Sequence, residues 1–342
     1  MTLHFASLFD HNYLARGEAL FDSLKKHCPE FKFYALCLDE RAHRQIAEAS
    51  RTEPRLIAIS LAELEEDDPA LSYARKNRSL VEYYFTLSPC LPLYVLKKFG
   101  AGHVCTLDAD QLFYSDPTPL FSLLSNHAVM VTSHNFSPGL EASRKFGMFN
   151  VSFQVFRNDP IAIGCLKRWR DQCLEWCKDV YDEAHDRFAD QKYLDGWPAL
   201  LGAQLHVFNH PGVGLAAWNV DQFKLTRSSR GYEVDGQPLI IYHFHGFKQL
   251  SVRWAGNGFG LYHVRPNRVL LDLYADYWQR LEARQDSTDL AGDRVIRRPV
   301  SSRVIGRMVE ERSLFYRLRN DRVVYVRLSG LIRWFLKLLG GG

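Results

Sequence analysis

Within its first sixty residues the chain switches repeatedly between two hydrophobic periods, and that switching restricts the folds open to it. Phe5 to Phe9 reads as a strand ending at Asp10. Leu14 to His27 has helical spacing through Leu14, Ala19, Leu20 and Leu24, and Phe31 to Leu38 is a second strand ending at Asp39. A short helix over Arg41 to Ser50 and a third strand over Leu56 to Ile59 follow. Strand, helix, strand, helix, strand implies an α/β fold with a Rossmann-like open sheet, mainly parallel, and helices on both faces. With 342 residues, 46% of them hydrophobic, the chain can bury a large core.

The alternation continues into the most informative triplet. Pro92 to Phe99 reads as a helix stopped by Gly100 and Gly102, and Val104 to Leu107 as the next strand. That strand ends in Asp108-Ala109-Asp110. Such triplets are common in loops and caps, so the strand end gives this one its weight. Two carboxylates one residue apart share a face of an extended chain and are costly to leave unpaired near a core. Around a divalent cation they form a seat for a diphosphate. In open α/β sheets, ligands bind beyond the carboxyl ends of the strands.

Further along, Ala128 to Thr132 and Phe149 to Phe156 read as strands, Pro160 to Tyr181 as a long helix, and Phe188 to Leu194 as the start of a short one. Leu205 to Phe208 and Leu239 to Phe244 are expected to be the last two strands. Arg75-Lys76-Asn77-Arg78 precedes a helix from Ser79 and is either a solvated loop or a phosphate contact, with Arg78 the candidate.

The net charge of +4 conceals an asymmetry. From Arg294 onward the chain carries 12 Lys and Arg against 3 Asp and Glu, so this stretch is +9 and the body is −5. An acidic body gives no support for nucleic-acid binding. The seven cysteines include no C-x-x-C pair, which fits buried free thiols in a reducing cytoplasm. No signal peptide is read at Met1 to Phe5, and no apolar stretch is long enough for a spanning helix.

Five segments in order now form one pattern: Asp10-His11-Asn12-Tyr13, the D-A-D triplet, Phe149-Asn150, Asp190-Gln191 and Tyr242-His243-Phe244-His245-Gly246-Phe247-Lys248. Over about residues 3–264 the chain resembles the nucleotide-sugar glycosyltransferases of the A-type fold, as a divergent relative of glycosyltransferase family 8. The resemblance implies transfer of a sugar from a nucleoside diphosphate donor, UDP by expectation, to a hydroxyl of a glycan or lipid-linked acceptor, with retention at the anomeric carbon. It implies that Asp10, Asn12 and Tyr13 line the nucleotide pocket. Asp108, Asp110 and His243 would hold Mn2+ (or Mg2+), and imidazole among carboxylates favours manganese. His245 is a rival ligand; His243 matches the family's H-x-x-G pattern, with Gly246 in register. Lys248 would contact the diphosphate, although the family places its lysine one residue later and follows it with Pro-Trp. Asn150 would hold a sugar hydroxyl, in Asn150-Val151-Ser152 where the family has Asn-Ala-Gly. Asp190 and Gln191 would sit under the sugar as the catalytic pair, and since an amide is a weak nucleophile, Asp190 is the better stabiliser of developing positive charge. Trp218 and Asn219 are candidates for the acceptor side.

Two other functions stay open. A non-catalytic nucleotide-sugar-binding protein would carry the same residues. A sugar-nucleotide pyrophosphorylase would share the core, but no Gly-rich phosphate loop follows the first strand.

The expected division is a transferase domain over 1–285 and a basic helical extension over 286–342. On a helical wheel, residues 323–339 place Leu328, Leu331, Ile332, Phe335 and Leu336 on one half and Arg327, Arg333 and Lys337 on the other. Such a helix suits an anionic membrane surface, which would put a cytoplasmic protein peripherally on the inner face of the membrane. Packing against the body or a partner is the competing reading.

Overall fold

The computed structural model describes residues 1–251, 253–288, 313–318 and 322–327. Its centre is a seven-stranded sheet built from β1 (Leu3–Phe9), β2 (Phe31–Cys37), β3 (Leu56–Ser60), β4 (His103–Leu107), β6 (Val129–Ser133), β7 (Phe149–Arg157) and β8 (Leu205–Phe208). The strand order is β3-β2-β1-β4-β7-β6-β8. The first four strands run parallel, whereas β7 is antiparallel to both β4 and β6. The expected open α/β sheet is therefore present and mixed.

Strand alternation sorts side chains to two cores. Phe5, Phe33 and Ala35 point to the face covered by the helices Leu14–His27 and Glu40–Ser50. Ala6, Tyr34 and Leu36 point to the other, beneath Cys90–Phe99 and Pro160–Glu175. Burial on both faces explains why these strands are almost continuously apolar.

A smaller sheet, of order β5-β13-β9, sits beside the ends of the large one, from β5 (Gln111–Phe113), β9 (Leu215–Ala216) and β13 (Ile241–His243). Between the last two, β10 (Leu225–Ser228), β11 (Gly231–Val234) and β12 (Gln237–Pro238) form a meander. The remaining strands are β14 (Lys248–Gln249), β15 (Trp254–Gly256), β16 (Ser313–Arg317) and β17 (Val323–Arg327), paired in that order. The helix Arg268–Thr288 backs the smaller sheet with Leu273, Tyr274, Tyr277 and Trp278 fully buried.

Several expectations need correction. The helix from Pro160 stops at Glu175, not Tyr181, because Trp176 is extended. Arg78 donates to the carbonyls of Cys173 (2.8 Å) and Leu174 (2.9 Å), which satisfies the end of that helix. Leu239 to Phe244 does not contain the last strand, since four more follow among the described residues. The helix expected over 323–339 is a strand at Val323–Arg327, antiparallel to β16; residues 328–339 lie outside the described residues. Val323, Val324, Tyr325 and Val326 are β-branched or aromatic, and pairing with a partner strand overrides the wheel. The helix Arg268–Thr288 runs across position 285. Among the described residues, no helix is long and apolar enough to cross a membrane.

Candidate active site

β4 delivers Asp108 and Asp110 to the carboxyl edge of the large sheet. The chain then turns into β5, which pairs with β13 so that Gln111 lies opposite His243. The Phe244 amide donates to the Asp110 carbonyl at 2.9 Å, and that of Asp108 to Ser152 at 3.2 Å. This pairing brings residue 243 onto the triplet. His243 Nε2 lies 3.0 Å from Asp110 Oδ1 and 3.7 Å from Asp108 Oδ2. His243 is buried, Asp110 is 15% exposed and Asp108 43%, so the carboxylates grade from the protein interior toward open space.

The electrostatics follow this packing. Burial alone would strip the proton from His243, but the charge and hydrogen bond of Asp110, helped by Asp108, raise its pKa. Burial likewise works against the Asp110 carboxylate, and the charge and hydrogen bond of His243, with His245 and Arg16 farther out, hold it well below the ordinary range. Asp108 goes the other way, to about 6: although its side chain is partly open, desolvation by the surrounding protein outweighs the pull of His243, and Asp110 adds a like charge. His245, exposed at its residue surface, is pushed down to about 4 by desolvation within the cluster and the neighbouring His243 charge.

Asp110, His243 and His245 offer ligand atoms that all lie within 4.8 Å of one another. The rival histidine thus joins the preferred one, where sequence reasoning had set them against each other. Trp218 walls the pair, its ring edge-on to His243 at 5.2 Å and to His245 at 5.5 Å. Trp218 is buried, and Asn219 is used internally, bridging the His134 and Gly214 carbonyls.

The first loop meets this cluster from the side. Asp10 accepts from the amides of Asn12 (3.0 Å) and Tyr13 (3.2 Å), and from the Asn12 side chain (2.9 Å), so it shapes the turn. Asn12 and Tyr13 remain exposed. The residue that sequence reasoning missed is Arg16. Its guanidinium lies 4.3 Å over the Tyr13 ring and donates to the carbonyls of Asn12 (3.3 Å) and Phe247 (3.1 Å). It clamps the loop after β1 to the histidine segment. The only signal was an arginine one helical turn after Tyr13.

Asp190 is 3% exposed and its Oδ2 has no hydrogen-bond partner among the described residues. Burial, opposed by Ser88 and nearby amides and reinforced by the charge of Asp108, pushes its carboxyl up to about 7. Ala189 before it has a φ of +46°, a left-handed conformation that costs a non-glycine residue and is sustained only by its surroundings. Gln191 donates to the Phe146 carbonyl at 2.9 Å. Asn150 is engaged as well: its Oδ1 accepts from the Ser152 amide at 2.8 Å, and its Nδ2 lies 2.9 Å from His134 Nε2. Lys248 opens β14 and is exposed. Arg78 is not presented to a phosphate; beyond the two carbonyls it holds, it donates to Thr86 Oγ1 at 2.6 Å and to Asn77 at 3.0 Å.

Gly246 has a φ of +80°, and a Cβ there would stand 3.3 Å from the Cα of Gly258, itself at +68°. The two glycines pack backbone to backbone beneath the histidine segment. Gly246→Ala is expected to cost about 1–2 kcal/mol for the left-handed backbone alone, and more for displacing Gly258. Urea denaturation of the two proteins measures it, and an unchanged midpoint would remove the close-packing argument.

No family model matches the chain. Of the proteins similar to it, the uncharacterized protein YfnD of Bacillus subtilis is 27% identical over 283 residues, 81% of this chain and 88% of that protein. The uncharacterized protein YfnF of the same organism is 30% identical over 261 residues, covering 74% of this chain and 84% of YfnF. The chain belongs to the YfnF family. Solved structures similar to this YfnF-family chain include the galactosyltransferase LgtC in complex with donor and acceptor sugar analogues (17% identity, 71% of this chain and 87% of that one, TM-score 0.47). Mouse xyloside xylosyltransferase 1 is similar at 16% identity, covering 72% of this chain and 98% of that one, with a TM-score of 0.45.

Proposed function

We propose that the chain is a metal-dependent glycosyltransferase that moves a sugar from a nucleoside diphosphate donor, UDP-linked by preference, to a hydroxyl of a glycan or lipid-linked acceptor. One observation carries the reading: two strand-end carboxylates and a buried imidazole, far apart in sequence, converge within hydrogen-bond or near-ligand distance.

The residues fit a divalent ion. Asp110, His243 and His245 supply clustered ligand atoms, and Asp108 adds an outward-facing carboxylate. His243 Nδ1 is buried without a partner among the described residues, and the ring's engaged nitrogen is the one facing the carboxylates. Mixed imidazole and carboxylate donors suit manganese better than calcium. When bound, the ion supplies positive charge to the diphosphate as it leaves.

The rest falls to the chain's own side chains. Tyr13 offers an exposed ring for a base, and Asn12 the polar atoms to read its edge. Arg16 holds that loop against the histidine segment. Asp190, when ionised, places negative charge where positive charge develops at the anomeric carbon, consistent with a retaining transfer that product NMR would verify.

The test is direct. Purified, chelator-treated protein should show a thermal shift with UDP only when Mn2+ is supplied. At a hundredfold excess over Kd, binding adds about 2.7 kcal/mol to stability. For a chain this long that corresponds to a rise of several degrees in Tm. Release of nucleoside diphosphate from a donor panel should likewise stop on chelation. Release that persists in excess chelator would sink the reading. Metal-dependent UDP binding with no turnover on any donor and acceptor would favour the non-catalytic binder.

A further inference from the structure

A second cavity, of about 640 Å³, lies on the far side of the helix Arg268–Thr288 from the histidine segment. The helix divides them by its own periodicity. Tyr274 and Tyr277 pack on Phe244 and Phe247, whereas Asp272, Asp276 and Arg280, at four-residue spacing, face the cavity. The opposite wall is the hairpin of β10 and β11, with Arg227 and Tyr232, and the end of the first long helix adds Lys26. Tyr114, just beyond β5, closes the floor, and its hydroxyl donates to Asp276 Oδ2 at 3.2 Å.

Its size is that of a ligand site, roughly 300–1,000 Å³, but its walls are polar where small-molecule pockets are mostly apolar. Three lining arginines are already paired: Arg268 with Asp272 and Arg280 with Asp276, each at 2.9 Å, and Arg230 with Glu233 at 3.0 Å. These pairs present fixed planar donors and acceptors. Two cations are different in kind. Lys26 and Arg227 are exposed, and neither has a carboxylate partner among the described residues; Arg227 lies 5.1 Å over the Tyr232 ring. The cavity therefore offers charge for an anion and carboxylate acceptors for hydroxyl donors, side by side. A ligand dense in phosphate would meet repulsion at Asp272 and Asp276. A chain bearing both hydroxyls and spaced anionic groups satisfies every wall.

We propose that this cavity binds an acidic glycan, outside the transfer site, with Lys26 and Arg227 taking the anionic group and the Arg–Asp pairs taking hydroxyls. The glycan part of the assignment rests on the glycosyl-transfer reading; the charge complementarity does not. Such a site would hold a growing or acceptor chain of the acidic-polysaccharide class against the enzyme between transfers.

Oligogalacturonate, with neutral dextran oligomers and oligothymidylate as comparison ligands, tests this by equilibrium binding to the full chain. Oligogalacturonate should bind and dextran should not. The exposed double substitution K26E/R227E should weaken oligogalacturonate at least about tenfold, with unchanged Tm and an unchanged Mn2+–UDP thermal shift, and K26Q/R227Q should weaken it less. The proposal is overturned if oligogalacturonate fails to bind, binds equally to K26E/R227E, or is matched by dextran or oligothymidylate. A wild-type protein that binds oligogalacturonate but never responds to Mn2+–UDP would defeat the transfer reading and leave the cavity standing. The reverse result would defeat the cavity alone.

Discussion

Asp110→Ala should reduce sugar transfer by on the order of 10²–10³-fold, the scale seen when one preorganised electrostatic group is removed from a site where charge develops. Asp110 outranks Asp108 here for a geometric reason. It is 15% exposed against 43%, makes the 3.0 Å contact to His243, and belongs to the set of ligand atoms clustered with both histidines. Without it His243 keeps an unpartnered Nδ1 and loses the partner of Nε2, a buried polar group left unmade at about 1–3 kcal/mol. The Mn2+-dependent thermal shift with UDP should vanish in the same variant. Asp108→Ala, acting from the open side, should lose less of both. The ranking is checked by donor turnover at saturating Mn2+, and a variant at position 110 within about threefold of the parent would contradict the ligand assignment.

The legible and illegible parts of this molecule divide by the range of the interactions that made them. The first three strands were readable because burial on both faces writes an apolar run, and the intervening helices write a different period. The strand-end position of Asp108 and Asp110 followed from the same local signals, with Gly100 at a φ of +60° stopping the helix before it. What pairs with what was not local. His245 joins His243 because β13 docks on β5 across 130 residues of sequence, a register that spacing does not encode. Arg78 looked like a phosphate contact because it follows a basic run. Only the tertiary structure shows its donors turned onto the carbonyls of Cys173 and Leu174, at a helix end misjudged for the same reason. Arg16 was overlooked because its use depends on Phe247, 231 residues away. At Val323–Arg327 a helical wheel and a β-branched composition competed, and a partner strand decided between them.

Asp190→Asn should do two opposite things at once: nearly abolish transfer and make the protein more stable at pH 8. The carboxyl is buried, with one oxygen unpartnered, and its pKa is raised from 3.8 to about 7. Between those values the folded protein holds a proton that the unfolded chain has released, so stability falls as pH rises through about 4 to 7. The shift corresponds to a cost on the order of 4 kcal/mol, fully present above pH 7 and absent below pH 4. An amide cannot ionise and escapes it, while keeping an oxygen for Ser88 and the neighbouring amides. The variant's advantage in chemical denaturation should therefore be large at pH 8 and shrink toward pH 5. On the proposed reading, in which the ionised Asp190 faces an oxocarbenium-like centre, transfer by the parent protein should rise with pH through about 7. An Asn variant whose stability tracks the parent at both pH values would show that Asp190 is not the strained group described. One that is stabilised yet fully active would show that its charge is not used in transfer. The conjunction of gain and loss is what distinguishes a functional carboxylate held at a cost to the fold from a merely buried one, and the left-handed Ala189 beside it marks the same stretch of backbone as strained.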